Sequence, residues 1–112
     1  MKKSLGALLL LLGSVSCPAL ADRISQMNQT DLCTYTAKLQ VAGYYYFMQG
    51  LPRDQVKIHW HGDETRNEID FISRTLDRAY GWLASTGASE STISAQRFGD
   101  LVYDACMRGI EL

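Results

Sequence analysis

The sequence has few of the features that announce an activity. It contains no Gly-rich phosphate loop, no G-x-S-x-G and no H-E-x-x-H, so the usual cradles for nucleotide phosphates, hydrolase nucleophiles and catalytic zinc are missing. Histidine occurs twice, at His59 and His61, which is too few for a di-metal centre. Basic residues form no block that could track phosphates or anionic lipid, which argues against nucleic acid and against electrostatic membrane binding. Past residue 21 no apolar run approaches the roughly 18 residues of a spanning helix, so no membrane span is expected. No segment alternates apolar and polar residues as a half-buried strand does, and there is no repeat or low-complexity tract.

Cysteine is also scarce: three in all, of which two lie beyond residue 21. The first 21 residues read as an export leader. Lys2 and Lys3 supply the positive start, Leu5 to Leu12 the apolar stretch, and Ala19-Leu20-Ala21 a small-x-small cleavage site. Residues 1–21 are thus expected to be a cleaved signal peptide and residues 22–112 a single domain with one modest core. Losing Lys2 and Lys3 takes the formal net charge from −1 to −3. Cys17 offers a lesser alternative, lipid attachment, but Ser14-Val15-Ser16 lacks the usual leucine three positions before it and Pro18 follows. Export leads to the periplasm or outside the cell, an oxidising setting in which Cys33 and Cys106 are expected to be joined. The absence of C-x-x-C makes that bond a staple, not a redox centre.

What the chain does have is helical patterning. Thr30 or Asp31 can cap a first helix to about Gln49, with Cys33, Ala37, Val41, Tyr44 and Met48 as its apolar stripe. Gly50 stops it, and Pro52 to Lys57 is expected to add one or two helical turns. Thr65-Arg66-Asn67-Glu68 has the form of a capping box. The helix it opens carries Ile69, Ile72, Leu76, Ala79 or Tyr80, and Leu83, and ends near Ser85 before Thr86-Gly87. A residue between Ser91 and Ser94 caps a last helix to about Arg108, with Ala95, Phe98, Val102 and Cys106 on one face. The expected fold is all-α: a small bundle of three main helices and one short one. Antiparallel packing of the first and last helices would bring Cys33 to Cys106 and clamp one end. Residues 22–29, 59–63 and 86–91 are the expected flexible stretches.

Two segments are candidates for function. In Tyr44-Tyr45-Tyr46-Phe47 successive side chains turn by about 100° and cannot all face one core. With Tyr44 and Phe47 inward, Tyr45 or Tyr46 is left toward a flank or solvent, where it can join Trp60 or Trp82 in a patch for a partner or a sugar ring, unless residues 52–60 fold back over it. The second is His59-Trp60-His61-Gly62-Asp63-Glu64. It looks like the opening of the His-x-His-x-Asp-His motif of the metallo-β-lactamase superfamily, but Glu64 stands at the final histidine and the chain is too short for that fold. His59, His61, Asp63 and Glu64 remain weak candidates for a single zinc or copper ion. Glu68, Asp70 and Asp77 read as a solvated face with Arg66, Arg74 and Arg78, including an Asp70–Arg74 pair one turn apart. No catalytic constellation emerges and no cofactor is called for.

Cys33-x-x-x-Ala37, Gly50 before a short helix, Ile72, Ala79-Tyr80, Phe98, Val102-Tyr103 and Cys106 together resemble a group of small exported two-cysteine helical proteins of Gram-negative bacteria and their prophages. The resemblance covers most of residues 22–112 and consists of framework positions, so it implies fold and export and no activity. The reading that follows is an exported, non-enzymatic protein that binds another envelope or secreted protein. A small-ligand or metal carrier centred on the 59–64 loop is the alternative, and a cell-wall enzyme using carboxylates of residues 64–77 comes third.

Overall fold

The computed structural model describes residues 22–112, so the expected leader, its expected cleavage site and Cys17 lie outside the described residues. Helix α1 spans Gln29–Met48, α2 Arg66–Ser85 and α3 Ala95–Met107. A single 3-10 turn, Arg53–Gln55, sits between α1 and α2. Among the described residues there is no strand, and no helix is long and apolar enough to cross a membrane.

Each helix begins where a side chain can take up a free amide. The cap of α1 is Asn28, two or three residues before the expected Thr30 or Asp31, because its Oδ1 accepts from Asp31 N at 2.8 Å. At α2 the capping box forms in full: Thr65 Oγ1 accepts from Glu68 N and Glu68 Oε1 accepts from Thr65 N. Ser94 Oγ accepts from Arg97 N and opens α3. Gly50, with φ +80°, ends α1 by taking a left-handed conformation in which Leu51 N reaches Tyr46 O. The helical turns expected over Pro52 to Lys57 shrink to the 3-10 turn. Pro52 is extended, and Val56 is extended with its side chain buried, which draws the chain inward before a longer helix can form.

Helix α1 is the centre of the bundle. It packs along both α2 and α3, which meet each other far less. The α3 side carries the expected stripe, with Cys33 and Tyr44 buried and Val41 against Gly99. The α2 side is small and polar: Thr36, Gln40 and Gly43 are all buried there. A Cβ at Gly43 would lie 3.0 Å from Ala79 Cβ, so the absence of a side chain is what lets α1 and α2 cross this closely. The core proper is Tyr44, Ala79, Leu83, Phe98 and Val102, with Tyr44 and Trp82 stacked or tilted on Phe98.

The disulfide Cys33–Cys106 is present, Cα–Cα 5.5 Å, and clamps the start of α1 to the end of α3 as antiparallel packing requires. Gln29 Nε2 donates to Met107 O at the same end. At the other end Tyr44 Oη donates to Ile93 O and holds the loop into α3. On α2 the buried stripe starts at Glu68, not Ile69, which is 39% exposed. The inward positions Glu68, Thr75, Leu76, Ala79 and Leu83 keep helical spacing, so Ile69, one residue on, is turned away by about 100°.

Candidate binding cleft

The stretch 22–29, expected to be flexible, is fastened to α2 by one arginine. Arg23 donates to Glu68 three times: from its backbone N to Oε2 (2.7 Å), from Nε to Oε2 (2.9 Å) and from Nη2 to Oε1 (2.8 Å). With Thr65 N as a fourth donor, the Glu68 carboxylate is fully used, and the residue is 3% exposed. The Arg23 side-chain hydrogen bonds are the main cause that draws the Glu68 pKa down to about 2, against the opposing cost of burial. The same partner raises the Arg23 pKa further above its ordinary value. Asp22 adds two contacts, accepting from Ile24 N and from Asn67 Nδ2. The sequence expectation of Glu68 in a solvated face is therefore corrected: it is a buried anchor.

The 59–64 loop is fastened in a similar way. Glu64 turns back on its own loop and accepts from His61 N at 2.7 Å and Gly62 N at 2.9 Å. The His61 amide is the first cause holding the Glu64 pKa below its ordinary value. Asp63 lies 3.4 Å from Arg23 Nη2, linking the loop to the N-terminal segment.

Between these two fastened segments and α1 lies a cleft of about 400 Å3. Its apolar walls are Ile24 and Met27 from the N-terminal segment, Leu39 from α1, Ile58 and Ile72. Tyr35 and Trp60 add aromatic surface, and Tyr35 stacks in turn on Phe71. Polar lining comes from His59, His61, Glu64, Glu68 and Arg23. Trp60 is 42% exposed.

The candidate residues separate. Trp60 belongs to the cleft. Tyr45, 53% exposed, packs edge-on against Tyr44 at the α3 side of α1, and Tyr46 is half-buried. Tyr45 and Tyr46 are not among the residues that line the cleft with Trp60. The metal candidates His59, His61, Asp63 and Glu64 are neighbours, yet among the described residues no three histidine, cysteine or acidic side chains converge as ligands. The Glu64 carboxylate faces loop amides, and Asp63 faces Arg23. The Asp70–Arg74 pair is also corrected: Arg74 Nε donates to the Asp70 backbone carbonyl, and Asp77 lies against Arg53 instead. Arg23, Ile24 and Met27 carry no local sequence signal for their place in the cleft; only the capping-box position of Glu68 pointed to this corner of the bundle.

Glu68 has no proton to give near neutral pH and no acceptor to spare, so it is not equipped as a general acid. Comparison with protein-family models, with curated proteins and with solved structures finds no match to this chain.

Proposed function

We propose that the protein is an exported, non-enzymatic binding protein that receives an apolar side chain of another envelope or secreted protein in the cleft beside Trp60. The observation that carries this reading is the pairing of an exposed tryptophan with a mainly apolar hollow of about 400 Å3. Large aromatics next to well-packed pockets supply much of the energy of protein interfaces. The carboxylates nearby have already spent their acceptors on Arg23, Thr65 and loop amides, so covering them leaves little unmet polarity. Export rests on the leader pattern of residues 1–21 and agrees with a disulfide between Cys33 and Cys106.

The test is affinity capture from envelope extract with the oxidised protein, its Trp60→Ala variant and its Tyr45→Ala variant. The cleft reading expects a specific partner lost with Trp60→Ala and kept with Tyr45→Ala, both variants retaining native circular dichroism. Loss with Tyr45→Ala alone would move the surface to the other flank of α1, and capture unchanged by either would sink the proposal. A small-ligand carrier is the second reading, because the cleft volume falls within the range of small-molecule sites. It expects thermal stabilisation by a small apolar compound in place of protein capture.

A further inference from the structure

Two hollows open on this bundle, and they differ in how their walls are held. One is a groove of about 350 Å3 between α2 and α3, beside Cys106. Residues 109–112 form part of its wall, where Ile110 N donates to Ala105 O and Leu112 packs on the core. The other is the cleft beside Trp60, which the N-terminal segment walls with Ile24 and Met27. No residue from 22 to 27 is buried, and neither Ile24 nor Met27 is among the side chains packed on the core. Apolar burial therefore contributes little to keeping this wall in place.

Polar contacts hold it instead, and those that reach beyond the segment come from its first two residues. Asp22 accepts from Asn67 Nδ2, while Arg23 donates three times to Glu68 and lies 3.4 Å from Asp63. The contacts of Ile24 N, Ser25 Oγ and Met27 N stay within the segment. At its far end the segment runs into Asn28, the cap of α1. It is a strap fixed at two points, with Ile24 and Met27 laid along the cleft between them.

The two halves of the α2 fixing are unequal. The Glu68 side chain is 4% exposed and belongs to the capping box, whereas the Arg23 side chain is 53% exposed. Arg23 is free to swing out into solvent, and Glu68 is not free to follow. Opening would strip the buried carboxylate of three of its four donors. That penalty returns the strap to its closed position.

We propose that residues 22–27 are a strap that closes the Trp60 cleft, latched by Arg23 on Glu68, and that the latch sets how tightly the cleft holds an apolar group. The inference rests on the cleft being the binding site. Arg23 is a positioning residue in this scheme: it acts by placing Ile24 and Met27. A cleft whose wall is in place only part of the time binds more weakly in proportion to that fraction.

The test compares the oxidised protein with Arg23→Gln, Arg23→Lys and Trp60→Ala, each checked for native circular dichroism. Nitrogen-15 relaxation reads the strap directly. Amides 24–27 are expected to have order parameters near about 0.85 in the parent protein and below about 0.6 in Arg23→Gln. Residues 60–64, which Glu64 holds independently, are expected to keep theirs. N-phenyl-1-naphthylamine, a neutral fluorescent probe, reads the cleft. It is expected to bind the parent protein, to be lost with Trp60→Ala and to weaken about tenfold with Arg23→Gln. Arg23→Lys keeps the charge without the fork and is expected to show a smaller version of both effects, a readout that stands even if Arg23→Gln does not fold. A strap as ordered in the Arg23 variants as in the parent overturns the latch, whatever the cleft binds. A strap set free with probe binding unchanged overturns its role as a wall. Absent probe binding, or binding indifferent to Trp60→Ala, sinks the cleft reading and this inference with it, even where relaxation shows the strap released.

Discussion

The two hollows of this bundle treat their polar groups in opposite ways. Beside Trp60, the Glu64 and Glu68 carboxylates are consumed internally, bonded to loop amides, to Thr65 and to Arg23. Between α2 and α3, Gln40 Oε1 is left without a partner and Arg74 without a counter-charge among the described residues. Polar groups that are used up fasten the chain and leave an apolar surface to do the recognising. A polar group sealed in without a partner fastens nothing and costs stability. The two regions also differ in what fastens them: the cleft by hydrogen-bonded charge, the groove by a covalent bond at its edge.

The largest way to break this comparison is to cut the covalent side. The disulfide closes a loop of 73 residues, which is worth about 4 kcal/mol on chain-entropy grounds. Replacing both Cys33 and Cys106 by Ser is expected to lower the thermal midpoint by roughly 20 °C in a domain of this size. Circular dichroism melts of the oxidised protein and the double variant measure it. A fall of only a few degrees would mean that the α1–α3 contact, with Tyr44, Phe98 and Val102, holds the clamped end without the bond.

Acid acts on the other side. An unfolded glutamate titrates near 4.5, while Glu68 in the fold titrates at about 2. A depressed carboxylate contributes stability that is fully present above pH 4.5 and is lost as pH falls through about 2. The melting midpoint is therefore expected to drop between pH 4.5 and 2, with the N-terminal segment released as Glu68 takes up a proton. Glu68→Gln removes the titration and should flatten that part of the profile while lowering stability at neutral pH. Arg23→Ala should move the same loss to higher pH. A wild-type profile as flat as that of Glu68→Gln would show that Arg23 does not hold Glu68 as described.

The sequence made the helices legible because their signals are local. Capping by Ser94 and the Thr65–Glu68 box, the Gly50 stop and the apolar spacing through Leu76, Ala79 and Leu83 all lie within a turn or two of their effect. The Cys33–Cys106 bond was legible because only two cysteines lie beyond residue 21. Both hollows were hidden for a common reason. Arg23 meets Glu68 across 45 residues, and Gln40 reads as an ordinary polar helix residue until α2 and α3 close around it. The aromatic run was legible only in part: helix geometry turned Tyr45 or Tyr46 outward, and Tyr45 is the one 53% exposed, but nothing in the pattern said that Trp60 would line a cleft with the N-terminal segment.

The smallest expected effect separates real from apparent charge pairing on α2. Asp70 and Arg74 have the favourable spacing of one turn, yet Arg74 Nε goes to the Asp70 backbone oxygen at 3.3 Å. Asp77 lacks that local partner but lies 2.7 Å from Arg53 Nε, an approach too poorly aligned to be a hydrogen bond, while Arg53 Nη2 donates to Ser73 O. Asp70→Asn is thus expected to change stability by less than about 0.5 kcal/mol, like most surface substitutions. Asp77→Asn should cost more, though no more than about 1 kcal/mol, since its side chain is exposed. Urea unfolding of the two variants at low ionic strength, repeated in high salt, resolves them: the Asp77 loss should shrink with salt and Asp70 should show no loss to shrink. A salt-sensitive loss at Asp70 equal to that at Asp77 would restore the one-turn Asp70–Arg74 pair, and a salt-insensitive Asp77 would remove the charge pairing between Arg53 and α2.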